Sequence, residues 1–217
     1  MTTRWCALTC ASSRALVVAA LCLIPAARVL YAQNPDEVYQ RAVAHFEAGR
    51  VEESAAEFDR LAALRPGLAP ELWQQGIALY YAGRYADCRK QFELHRTVNP
   101  NDVENAAWHF LCVAHAESPA KARAALLPVG PDARVPMRQV YEMFRGSMTP
   151  DDVLRSAGTQ SSAQFFARLY VGLFAEAMGD ARQAREHIAA AAGERYAGPG
   201  GYMHTVARVH LRLLDRR

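Results

Sequence analysis

The chain has 217 residues, 51% hydrophobic and 22% charged, which excludes a disordered or fibrous chain and suffices for one domain with its own core. The formal net charge is +3, but Arg4, Arg14 and Arg28 stand in a first stretch of 32 residues without an acid, and the remainder carries 22 basic against 22 acidic residues. A neutral body speaks against nucleic acid as a partner, because that affinity rests on many phosphate contacts.

Residues 1–32 read as a signal or targeting segment. Arg4 and Arg14 precede an apolar run, Ala15 to Ile24, which Pro25 interrupts. Ten apolar residues fall short of the ~20 that span a bilayer. Cleavage is expected after Ala32. The alternatives are a retained anchor, a plastid-type transit peptide, or lipidation at Cys22, where Leu21 stands in the place of the small residue that usually precedes a lipidated cysteine.

Helix starts follow at regular intervals. Asn34-Pro35-Asp36-Glu37 has a capping Asn, Pro at the first helical position and Glu at the third, Asn101-Asp102-Val103-Glu104 reads as another capping box, and Ala69-Pro70-Glu71 repeats the proline signal with a weaker cap. Ser118-Pro119 and Thr149-Pro150-Asp151-Asp152 place a hydroxyl cap before proline, the latter with acids where the helix dipole favours them. Apolar residues between these starts recur at three and four, as in Val38, Ala42 and Phe46, and no alternating strand pattern occurs. The expected class is all-α, with ten or eleven helices.

A step of 34 residues organises the first half. Phe46 is echoed by Tyr80, Ala48-Gly49-Arg50 by Ala82-Gly83-Arg84, Phe58 by Phe92, and Pro66 by Pro100. The spacing divides the chain from residue 33 to 217 into clean repeats 34–66 and 68–100, a degenerate unit 102–127, an irregular insert 128–160, a further repeat 161–192 and a capping helix 200–214. Ala42, Gly76 and Gly172 take the small position where a neighbouring helix approaches, and Gly49 and Gly83 the left-handed turn. Phe110 puts a bulky side chain at the small position of the third unit, so its register is expected to slip.

This pattern resembles the tetratricopeptide repeat (TPR) family, whose helical hairpins build binding surfaces. Trp73-Gln74-Gln75-Gly76, Trp108-His109-Phe110-Leu111-Cys112, Pro136-Met137-Arg138 and Leu169-Tyr170-Val171-Gly172-Leu173 are similar to a group of TPR proteins from bacteria and plastids. The layout is also similar to NlpI-type periplasmic TPR proteins, from which the chain departs at the residue before Cys22. The resemblance implies a right-handed α-solenoid whose concave face binds a partner. The family's inward positions fall on Tyr39, Val43, Phe46, Glu47, Trp73, Ile77, Tyr80 and Tyr81, an aromatic set with little charge. Such a groove suits a peptide or helix of a protein partner, unless the insert or the amino-terminal helix fills it.

The expected function is that of an exported, non-catalytic scaffold or adaptor, periplasmic or secreted, touching a membrane only through an uncleaved or lipidated amino terminus. The rival is an enzyme or small-molecule binder using Cys112, His109 and Arg138, the last being a possible polar ligand contact in the insert. Cys88 and Cys112 are expected as two buried thiols, with one disulfide as the alternative. His109 and His115, like His204 and His210, are six residues apart and do not share a helix face, so no metal and no cofactor is expected.

Overall fold

The computed structural model describes residues 34–216 together with Met1 and Thr2. The expected cleavage site, anchor and lipidation, with Cys6, Cys10 and Cys22, lie outside the described residues. Eleven α-helices follow: α1 (Pro35–Glu47), α2 (Val51–Leu64), α3 (Trp73–Tyr81), α4 (Tyr85–His95), α5 (Val103–Ala116), α6 (Pro119–Ala124), α7 (Met137–Arg145), α8 (Pro150–Ser156), α9 (Ser161–Ala177), α10 (Ala181–Ala191) and α11 (Ala197–Leu214). There is no strand among the described residues. No helix among them is long and apolar enough to cross a membrane.

The caps start the helices where the sequence places them. Asn34 accepts from the Asp36 amide at 3.0 Å with Pro35 in the first turn. Thr149 and Asp152 cap α8 reciprocally, meeting two backbone donors that the helix leaves open. Two starts are displaced, and at α5 Asp102 rather than Asn101 is the cap, so no Asn101–Glu104 capping box forms. Pro66 to Glu71 wind into a 3-10 turn, and α3 begins only at Trp73.

Consecutive helices pair, α1 with α2, α3 with α4, α5 with α6 and α9 with α10, and the pairs stack through α2 on α3 and α4 on α5. Small residues set how closely they approach. Ser54 Oγ reaches the Ala42 carbonyl at 2.8 Å, and a Cβ on Gly76 would meet the Phe92 ring at 2.7 Å. The turns at Gly49 and Gly83 take φ of 74° and 72°, a region that costs little only for glycine. Phe46, Phe58 and Phe92 are buried between the pairs, each worth roughly 1.5–3 kcal/mol relative to exposure. Phe110 turns instead toward Phe144 and Phe174, with centroids 5.0 and 6.4 Å away. The bulky residue thus serves a second cluster between α5, α7 and α9.

Two expectations are corrected here. Cys88 and Cys112 are joined in a disulfide with Cα atoms 5.9 Å apart, because α4 and α5 pack with both cysteines on the shared face. The last helix does more than cap an end. α11 packs on α9 and α10 and also reaches α1, after the chain turns at Gly201 with φ 51° and ψ −137°.

Candidate functional site

The aromatic groove residues do converge, but the occupant is the chain's own α11. Tyr202 stacks on Phe46 with centroids 5.9 Å apart and meets Trp73 edge-on at 5.1 Å. The Tyr81 hydroxyl lies 2.9 Å from His210 Nδ1, and Arg212 donates to the Glu47 carbonyl. Phe46, Ile77 and Tyr80 are buried, Tyr39, Val43, Trp73 and Tyr81 half-buried, and only Glu47 is exposed. The groove expected to be open is therefore closed, among the described residues by α11 and not by the insert, while the amino-terminal segment lies outside the described residues. Tyr202, Met203, Val206, Ala207 and Val209 all pack into the core. The sequence signal for this was a last helix apolar on more than one face.

The rival constellation does not assemble. Cys112 is committed to the disulfide and offers no thiolate. His109 turns Nε2 toward Glu93 at 3.3 Å, and burial holds its imidazole below the usual histidine range. Arg138 is exposed and makes no ion pair among the described residues. It lies on the rim of a surface depression beside Tyr141 and Glu142.

The arginine that matters is four residues earlier. Arg134 contacts Asp102 and Glu104 at 2.5 Å each and Asp132 at 2.6 Å. Asp102 caps α5 and accepts from the Glu104 amide, while Asp132 accepts from the Val103 amide at 3.2 Å. The positive end of α5 thus gathers carboxylates, as its dipole favours, and Arg134 ties the insert to them. The Asp132 hydrogen bond raises the Arg134 guanidinium further above its ordinary range. Burial, with Asp102 beside it, raises the Glu104 carboxyl, which accepts from Tyr170 at 2.5 Å. Burial alone would raise Asp132, but its bonds from Arg134 outweigh this and lower it.

Beside this cluster the α11 packing leaves a cavity of about 230 Å³, walled by Trp73, Phe92, Trp108 and Met203 and edged by His95, Asn105, Asp102, Glu104 and Arg134. Two of its wall residues carry polar atoms without a hydrogen-bond partner, Asn105 Oδ1 and Trp108 Nε1. These residues are 4% and 1% exposed, so solvent does not satisfy them at the surface. His95 donates Nδ1–H to the Pro70 carbonyl at 2.7 Å. Asn105 and His95 carry no motif. Only their places on α5 and α4, facing one gap, reveal them.

No protein-family model matches the chain, and no curated protein matches it.

Proposed function

We propose that this chain is a non-catalytic binding protein that takes a compact polar ligand into the cavity between α3, α4, α5 and α11. The observation that carries this reading is the pair of unpartnered polar atoms, Asn105 Oδ1 and Trp108 Nε1, on residues buried at the wall of an aromatic cavity. Each such atom costs about 1–3 kcal/mol when left unmet, and a ligand that pairs them recovers that cost. Ligand pockets commonly run from about 300 Å³ upward, so 230 Å³ calls for a small molecule or one projecting side chain.

The finer architecture belongs to the same reading. The stacked pairs form a right-handed TPR-type solenoid, supported by the 34-residue step, the positive-φ glycines at its turns and the close approaches at Ala42 and Gly76. The acid-free, apolar first 32 residues support export. A partner helix laid along the groove would have to displace α11 and expose Val206, Ala207 and Val209, all buried. Capture therefore occurs in the cavity. A fragment screen read by tryptophan emission tests it, since Trp73 and Trp108 both line the cavity. Some compact polar compound should change the emission saturably, and Asn105→Leu should weaken its binding about tenfold with helicity intact. A screen in which no compound does so refutes the reading.

A further inference from the structure

The cavity sets an unmet acceptor beside two carboxylates, and that pairing names the chemistry of its ligand. Asn105 Oδ1 lacks a donor, and the edge carries Asp102 and Glu104. Three carboxylates, counting Asp132, surround the single guanidinium of Arg134, so the cluster holds uncompensated negative charge. The aromatic faces of Trp73, Phe92 and Trp108 complete the wall, and aromatic faces attract cations. An anion would meet like charge here, and a purely apolar ligand would leave the Asn105 oxygen buried and unmet.

We propose that the cavity binds a primary alkylammonium group, whose N–H donates to Asn105 Oδ1 while its charge faces the Asp102–Glu104 edge and its carbons lie against the tryptophans. The inference rests on the cavity being the ligand site. Size agrees: a cavity of about 150 Å³ holds benzene, and the 230 Å³ here holds a four-carbon chain with its nitrogen. A neighbouring oxygen on the ligand could accept from Trp108 Nε1–H, which favours amines with an adjacent hydroxyl or carbonyl. A cation beside Glu104 opposes the upward push that burial and Asp102 exert on its carboxyl.

The test uses the whole chain and four probes of five or six non-hydrogen atoms, n-butylammonium, 1-butanol, butyrate and the more compact tetramethylammonium, titrated by tryptophan emission and by ligand-observed NMR. n-Butylammonium should bind about tenfold or more tighter than each of the others. Acetyl-lysine-amide, added as a further arm, separates a free amine from a lysine side chain: if it binds as well as butylammonium, the source is a presented lysine. Equal binding of butanol shows that charge is not read and overturns the proposal, as does stronger binding of butyrate. Equal binding of tetramethylammonium overturns the N–H bond to Asn105. In all three cases the cavity remains a ligand site. If no probe binds, the amine proposal fails, and the wider fragment screen decides the cavity reading separately. Asn105→Leu should reduce butylammonium affinity about tenfold, and the wild-type probe series decides the matter even if that variant does not fold.

Discussion

The Cys88–Cys112 disulfide clips α4 to α5, and those two helices carry Phe92, His95, Asn105 and Trp108 of the cavity wall. Its contribution can be worked from the loop it closes. The sequence separation is 24, and the chain-entropy relation for a loop of that size gives about 3.5 kcal/mol at 25 °C. For a domain of this size one kcal/mol moves the melting temperature by about 2–4 °C, so reduction should lower it by roughly 7–14 °C. The assay is calorimetry with and without a thiol reductant, with the bond verified by intact mass after alkylation. Cys88→Ala should show the lower melting temperature and lose its response to reductant. Reduction should also weaken any ligand in the cavity, because the wall helices then hold each other by packing alone. A bridged protein whose melting temperature is unchanged on reduction would refute the reasoning.

Gly76→Ala places a methyl 2.7 Å from the Phe92 ring and should cost about 1–3 kcal/mol by overpacking, seen as a lower urea midpoint. Tyr202→Phe removes a buried hydroxyl that has no partner, so stability should hold or rise by about 1 kcal/mol, whereas a clear loss in thermal melts would mean that the hydroxyl is paired. Arg134→Met leaves Asp102, Glu104 and Asp132 facing one another. Its side chain is 43% exposed, so the loss at neutral pH should be about 1–2 kcal/mol after solvent screening, and it should shrink toward pH 4 as the carboxyls protonate. In the wild type the two signs differ. Asp132 is lowered from 3.8, so its stabilisation is present above that pH and is lost as pH falls through its folded value. Glu104 is raised from 4.5, so its contribution is fullest below that pH and declines as pH rises through its folded value. Urea melts across pH 3–7 for both proteins would show the difference.

Local chemistry made much of the fold legible. The caps at Asn34 and Thr149 act on the nearest amides, and the glycines at 49 and 83 answer a backbone demand that no other residue meets cheaply. The helix expected at Met137–Arg145 is α7. Long-range relations were not legible. Nothing in the order of residues brings Tyr202 onto Phe46, 156 positions earlier, because that depends on how far successive pairs rotate about the stack. Cys88 and Cys112 each look like a helix-packing residue, and only the α4–α5 packing shows them side by side. Arg138 stood out through its place in a motif, while Arg134 gained its role from Asp102 and Glu104 arriving from another segment. The candidate site was hidden for the same reason: its polar atoms sit on residues that read individually as core.

The most direct test of the central claim is the side-chain resonance of the Trp108 indole N–H, followed with the Asn105 amide during an n-butylammonium titration of the oxidised protein. Both should shift together and saturably, with Phe92 and Met203 protons showing contacts to the ligand's methylenes. Shifts confined to surface residues, with Trp108 and Asn105 unmoved at saturating amine, would contradict the account.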